Sequence, residues 1–413
     1  MKNNFLAAVI ALAATLLILA LHLTDSFPSI LNFRTPEINL AKDKISESHL
    51  AAAVAYHKAH PAFARRPVST YLIESVHQHA TLSLGEAFIF VNFLLLFACA
   101  LLVYFLARCI GCTGAEAIGS MLFFFGSFTI LFIFFPPIYT YDEPAQYFFL
   151  LLSLIAFFKE KYLSFFVCFS LSLMVRESSI LLLPGLLYLF LSKLKYANKP
   201  QVLVLKQIAL LLTPIAVYII FLYFLIQQQQ IWPSSKIDFW DRLLHFSFNF
   251  QSVPHAVNTF VSFFLTLGLQ LYLVYWFLEN HNRRKEDTRL LKAFFITLFI
   301  NTPVVLTTTL AVESRLYALP LLFLWPLLGK IVKAEWRNRY SLSILKHFLR
   351  NWLYMGFLLL CFFLSVCVTR YVYVPTDKHA PHQLFKLYLL LCLCLLFFDF
   401  LYKHFLRTRP HNP

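Results

Sequence analysis

Charged side chains are scarce in this 413-residue chain, and several stand beside proline, aromatic or long apolar runs. Asp43 and Glu47 lie four apart, so on a helix they share one face. Arg65 and Arg66 follow Phe63-Ala64 and precede Pro67, forming a cationic turn. Asp142 and Glu143 close an aromatic, proline-rich stretch, Pro136 to Pro144. Arg176-Glu177 and Glu313-Ser314-Arg315 each interrupt apolar sequence with almost no loop around them. Guanidinium groups hold phosphate oxygens through paired, charge-assisted hydrogen bonds. A carboxylate nearby can accept a proton from an attacking hydroxyl, while the cations offset charge on a departing phosphate. Each group also has a plainer reading. Asp43 and Glu47 fit a solvated helix, Asp142 or Glu143 fits a helix cap, and Glu313 can pair locally with Arg315. Arg176-Glu177 resists such a reading, because a charge at membrane depth costs about 2.5–3.5 kcal/mol on insertion scales.

The elements that must position these groups follow from composition. The chain is 60% hydrophobic, 18% aromatic and only 13% charged, whereas soluble domains carry about a quarter charged residues. It could not cover its apolar surface in water, which excludes cytosolic enzymes and secreted disulfide scaffolds. Apolar runs recur at about 5–23, 87–107, 116–135, 144–158, 162–175, 179–192, 207–226, 256–278, 293–312, 316–332, 351–369 and 384–401. Most approach the roughly 20 residues that cross a bilayer. The expected fold class is an all-α polytopic membrane protein with about twelve transmembrane helices, some short. A large external first loop, about residues 24–86, carries interfacial helices near Ile45–His57 and through Tyr71, Leu72 and Val76. Glycine occurs 9 times and Phe 47 times, so bulky helices are expected to pack with few close backbone contacts.

Charge sets the orientation. With both termini cytoplasmic, the cytoplasmic segments hold 22 of the 35 Lys and Arg and 7 of the 20 acids. The external segments hold 13 of each, so the whole formal charge of +15 lies inside. The basic balance thus reports topology; no nucleic-acid partner is expected, because no motif or soluble basic domain accompanies it. Reading 162–192 as one long helix would put 18 downstream cations outside. Two short helices fit instead, each spanning about 21 Å against a hydrocarbon core of about 30 Å. The Arg176-Glu177 turn then dips below the outer surface and requires a cavity beside it.

The first apolar run reads as a retained helix, since Ala20-Leu21-His22 lacks a small-x-small cleavage pattern. None of the eight cysteines falls in an external loop, and Cys109 with Cys112 has no second pair to complete a zinc site. The first loop carries His49, His57, His60, His77 and His79. The spacing of His57 and His60 suits a metal, yet a carboxylate-held divalent cation is the more reasonable form if any is bound. No metal site and no cofactor are assigned.

An acidic first external loop, a basic-proline turn and an acidic second loop together resemble the GT-C superfamily of integral-membrane glycosyltransferases. Phe63-Ala64-Arg65-Arg66-Pro67-Val68 is similar to the aromatic-Arg-Pro-Leu element that ends the first loop in bacterial members. Tyr141-Asp142-Glu143-Pro144-Ala145 resembles their Asp-Pro opening of the fourth helix. Val175-Arg176-Glu177-Ser178 through Leu183-Pro184 looks like the Arg-Glu-small-Leu-Leu-Pro segment of bacterial relatives. Glu313-Ser314-Arg315-Leu316-Tyr317, followed by Pro320, is similar to a Glu-x-Arg element at the outer end of a later helix. The resemblance makes residues 1–195 a GT-C-like module and leaves 196–413 as C-terminal transmembrane helices, apart from the patch at 313–320. The family often places its catalytic Asp in an Asp-x-x-x-Tyr or Asp-Glu pair soon after the first helix; Asp25, Asp43 and Glu47 all stand in the matching region.

What the resemblance implies is a sugar transfer from a polyprenyl-phosphate donor at the outer face of a bacterial inner membrane. Asp43 or Glu47 would be the general base and Asp142 the second-loop acid. Arg65, Arg66, Arg176 and Arg315 would hold the phosphate, with Glu143, Glu177 and Glu313 beside them in the binding site. Membrane lipids are the other expected partners. The competing expectations are a lipid or glycolipid flippase, or a catalytically inactive scaffold whose external charges hold helices together. Scarce glycine argues against a transporter, whose moving helices usually break at Gly and Pro.

Overall fold

The computed structural model describes residues 2–29, 31, 47–134, 141–194, 201–229, 244–280, 284–337, 352–376 and 381–407. Asp43 and the turn at 136–140 lie outside them. Among the described residues the protein is helical and contains no strand. Helix α1 spans Lys2–His22, α2 Glu47–Ala59, α3 Pro67–His79, α4 Leu84–Cys109 and α5 Gly114–Gly126. Then come α6 Glu143–Phe158, α7 Tyr162–Val175, α8 Leu183–Leu194 and α9 Gln201–Gln229. The chain closes with α10 Val253–Asn280, α11 Lys285–Thr308, α12 Leu321–Arg337, α13 Trp352–Cys367 and α14 Gln383–Arg407.

A helix stands at every one of the twelve apolar runs. Among the described residues seven helices are long and apolar enough to cross a membrane, and three further apolar helices are shorter. The protein is therefore a multi-pass membrane protein by the length and composition of its helices. Large apolar side chains face outward, among them Trp352 and Phe363 of α13 and Phe224 of α9. In a lipid solvent such exposure carries no penalty.

The two interfacial helices expected in the first loop are α2 and α3. Helix α4 starts at Ser83 with a reciprocal capping box, in which Glu86 N–H donates to Ser83 Oγ at 3.1 Å and Ser83 N–H to Glu86 at 2.8 Å. Helices α6 and α7 form a hairpin closed by Glu160, whose φ of 56° is left-handed. The chain then breaks where the charges predict. Arg176 is extended (φ −161°, ψ 122°), and a 3-10 turn, Glu177–Leu182, leads into α8. The run 179–192 is thus divided between that turn and α8. Similarly, the expected helix at 316–332 begins only at Leu321, after a 3-10 turn at Ser314–Tyr317. Pro320 has no N–H and a fixed φ, so it opens the helix and cannot extend one upstream.

The expectation of few close backbone contacts has one clear exception, the crossing of α5 and α12. A Cβ on Gly329 would lie 1.9 Å from the Glu116 carbonyl oxygen and 2.5 Å from the Ser120 nitrogen. Gly329 N–H donates to Ser120 Oγ at 3.0 Å, and that hydroxyl donates to the Pro326 carbonyl at 3.0 Å. The buried Trp325 sits edge-on to Phe124, 5.0 Å between ring centres, beside the same crossing.

Candidate functional site

Four chain segments deliver charged groups to one end of the helix bundle. Arg66 occupies the position before the first turn of α3, where Pro67 opens the helix. Buried there, it donates from Nε to Glu177 at 2.8 Å and from Nη2 to the other Glu177 oxygen at 2.5 Å. This is a two-pronged pair between residues 111 apart in sequence. A third nitrogen, Nη1, reaches Asp142 at 3.4 Å. Burial by itself would lower the pKa of Arg66, but Glu177, followed by Asp142 and Glu143, outweighs it and holds the value above the ordinary arginine range.

Asp142 stands at the N-cap position of α6 without a side-chain cap bond, and Glu143 falls in the first turn, so both acids lie beside the helix N-terminus. Its side chain is wholly buried and turned toward Arg66 and His57, with His57 Nε2 at 3.4 Å from Oδ2. The Oδ1 oxygen is buried with no hydrogen-bond partner among the described residues. An unsatisfied buried polar atom in a native fold calls for an explanation, of which a functional one is common. Glu143, the next residue, accepts from both Arg176 and Arg315; the Arg315 bond is 2.8 Å. Arg315 also grips Glu313 through Nη2 at 2.7 Å and Nε at 3.1 Å. The local Glu313–Arg315 pairing is therefore real, but it is half of a larger bridge.

A cavity of about 310 Å³ opens beside this network. Arg66, Glu143, Arg176, Glu177 and Arg315 all contribute to its charged wall. Its opposite wall is apolar and hydroxylated, including Ile180, Val304, Thr308 and Leu319. A cavity next to the Arg176-Glu177 break is what a charged turn at membrane depth requires. Arg176 has one described carboxylate bond and lines the cavity, so most of its five N–H donors remain for a ligand. Three guanidinium groups face two lining carboxylates, while Asp142 and Glu313 sit behind them.

Two predicted residues stand apart. Glu47 is engaged elsewhere: it accepts from Ser83 Oγ at 2.9 Å and from Gly85 N–H at 2.9 Å, completing the cap of α4. Helix starts leave several N–H groups unpaired, and a carboxylate there is well placed to satisfy them. Arg65 is half-buried next to Arg66 but is not among the cavity-lining residues. Asp43 lies outside the described residues.

The structure also brings in residues that the sequence reading missed. Gln146 donates to Ser178 and Ser179, both at 3.0 Å, tying α6 to the 3-10 turn. It lies three residues after Glu143, on the same face, which was a readable signal. Asn301 donates to the Leu316 carbonyl at 3.0 Å and so fixes the turn that carries Arg315. A lone amide inside the apolar run before Pro303 was the clue to it. His57 packs between Phe63 and Tyr141, with ring centres 5.0 and 4.5 Å away. Its Nδ1 meets Thr70 Oγ1 at 3.2 Å, and Thr70 meets the Tyr141 hydroxyl at 2.9 Å. Among the described residues no three His, Cys, Asp or Glu side chains are grouped to hold a metal ion.

Comparison with protein-family models, with curated proteins and with solved structures finds no match to this chain.

Proposed function

We propose that the protein is a GT-C-type membrane glycosyltransferase that moves a sugar from a polyprenyl-phosphate donor to an acceptor at the outer membrane face. One observation carries this reading: guanidinium groups and carboxylates from four separated segments converge on one amphiphilic cavity. Burying three arginines among apolar helices is costly, and ion pairs alone seldom repay it. A phosphate-bearing ligand gives those charges a use.

In the proposed reaction the donor phosphate lies against Arg176 and Arg315. The acceptor oxygen attacks the anomeric carbon, and the bond from that carbon to the phosphate oxygen breaks with its electron pair going to the phosphate. The arginines stabilise the charge that develops. A carboxylate takes the acceptor's proton. With Glu47 bonded at the start of α4, this role is left to Asp43 or to Asp142, the latter buried behind the lining residues until the acceptor is bound. Twelve crossings with both termini cytoplasmic, in a bacterial inner membrane, complete the proposal.

A second reading rests on an observation of its own. Arg66, Arg176 and Arg315 each already have a carboxylate partner, as expected of a scaffold that uses charge to join helices. Assay of the purified protein against a panel of lipid-phosphate sugars, with mass spectrometry of the products, separates the two. Under the transferase reading, Asp142→Asn or Asp43→Asn abolishes product formation with thermal unfolding little changed. Under the scaffold reading no donor is turned over and Asp142→Asn registers only in stability.

A further inference from the structure

The stretch that leads into α10 has two unlike sides. A single helical turn, His245–Asn249, stands just before the start of α10 at Val253. On its outer side Leu244, Phe246 and Val253 are 66%, 52% and 77% exposed. Apolar surface left in water costs about 25 cal/mol per Å² relative to burial, so these side chains call for a cover. The rings of Phe246 and Phe250 are 5.2 Å apart, and those of Phe250 and Phe260 are 6.2 Å apart. Phe260 is itself 64% exposed and belongs to α10, a helix long and apolar enough to cross a membrane. The aromatic ladder therefore joins the turn to a lipid-facing surface.

The inner side is polar and locked. Asn249 is wholly buried and donates to the carbonyls of Leu306 at 3.0 Å and Thr309 at 2.9 Å. Its side-chain oxygen accepts from the Ala311 N–H at 3.0 Å. The last carbonyls of a helix have no partner inside it, and Asn249 supplies one to the end of α11 from another element. Thr308 and Thr309, in that same stretch, line the charged cavity. From α10, Ser262 and Thr266 donate to the carbonyls of Val312 and Ser314 at 2.6 and 2.7 Å. The chain that runs from α11 to Arg315 is thus held from behind by the turn and by α10.

We propose that Leu244 to Val253 is an interfacial foot that rests in the lipid leaflet at the charged end of the bundle and, through Asn249, steadies the cavity wall. The apolar side of an interfacial segment sinks about 5–10 Å into the boundary of headgroups and acyl chains. Leu244, Phe246 and Val253 then meet the upper acyl chains, as Phe260 does one level deeper. The irregular backbone beside them is tolerated at that depth because its polar groups are satisfied within the protein. The foot does not depend on the reaction proposed above: it holds for a transferase and for a scaffold alike.

The unaltered full chain is reconstituted in phosphatidylcholine nanodiscs, one chain per disc, with part of the lipid carrying a diazirine high on its acyl chain. After illumination, peptide mass spectrometry is expected to find lipid adducts both on 244–253 and around Phe260. Adducts around Phe260 with none on 244–253 overturn the proposal. In the same discs a charged maleimide is expected to alkylate Gln251→Cys, an exposed polar position, about tenfold faster than Phe246→Cys, because thiolate forms in water and not in hydrocarbon. Equal rates overturn the proposal, and so does protection of Phe246→Cys that appears only with two chains per disc, which would make a second copy the cover. The tie to the cavity is read by hydrogen exchange of the 306–311 amides. Asn249→Ala is expected to quicken it about tenfold, the effect of losing roughly one hydrogen bond. Phe246→Ser keeps every Asn249 bond and weakens only the lipid contact, and it too is expected to quicken exchange there. Unchanged exchange in Phe246→Ser overturns the tie, even if Asn249→Ala fails to fold.

Discussion

Arg66 shows what a single residue does at this site. Its guanidinium spans two carboxylates, Glu177 and Asp142, that belong to different segments. Removing one partner of a buried pair leaves the other desolvated and unpaired, at about 3–5 kcal/mol. Arg66→Ala is expected to lower thermal stability in detergent by that order, followed by intrinsic tryptophan fluorescence. Arg66→Lys recovers little, because an ammonium cannot reproduce the two-pronged geometry. Glu177→Gln is milder, as that side chain is 36% exposed and water replaces part of what is lost. Glu47 provides the contrasting case. Glu47→Ala removes two bonds at the start of α4 and should cost about 1 kcal/mol of stability while leaving turnover intact. A loss of turnover in Glu47→Gln at unchanged melting temperature would return the base to Glu47.

At the level of elements, short helices do the positioning. Helix α7 has 14 residues and covers about 21 Å, so it ends inside the bundle and delivers Arg176 and Glu177 to the cavity. The 3-10 turns at Glu177–Leu182 and Ser314–Tyr317 bring Glu177 and Arg315 to that cavity. A separate dependence lies at the α5–α12 crossing. Gly329→Ala forces a methyl into the Glu116 and Ser120 backbone, and overpacking of this kind costs about 1–3 kcal/mol or more. Reduced folded yield in size-exclusion chromatography is the expected outcome. Gly356→Ala, with nothing within 4 Å of the added carbon, should behave as the natural protein.

For the whole molecule, two cavities lie at opposite ends of the bundle, one lined by Arg66, Glu143, Arg176, Glu177 and Arg315 and one by Cys109, Lys193, Arg284, Glu286 and Arg289. Positive charge favours the cytoplasmic side. A cysteine at position 178 is therefore expected to react with a membrane-impermeant thiol reagent from outside, and Cys109 only after permeabilisation. Reporter fusions at the two termini should both read cytoplasmic. Labelling of position 178 from the cytosol alone would reverse the topology and remove the transferase proposal with it.

The sequence by itself determined where the apolar helices lie and marked the break at Arg176-Glu177, but not the break at Ser127 within 116–135 or the turn at Ser314–Tyr317. Hydropathy is summed over a dozen or more neighbours, so twelve apolar runs specify twelve helical positions without reference to the rest of the fold. Arg176-Glu177 marked its own break, because no continuous helix could keep that pair at membrane depth. Which charges share a cavity was a different matter. Arg66 meets Glu177 across 111 residues, and Arg315 meets Glu143 across 172. The sequence placed these groups at one boundary but could not choose their partners, since ion pairing depends on distances of a few ångströms that only packed helices fix. It also offered Glu47 as a general base beside Asp43, because a carboxylate's type and spacing are the same whether it caps a helix or faces a ligand. Tertiary structure gave Glu47 and Asp142 different partners: Glu47 accepts bonds at the start of α4, and Asp142 lies against Arg66 and His57.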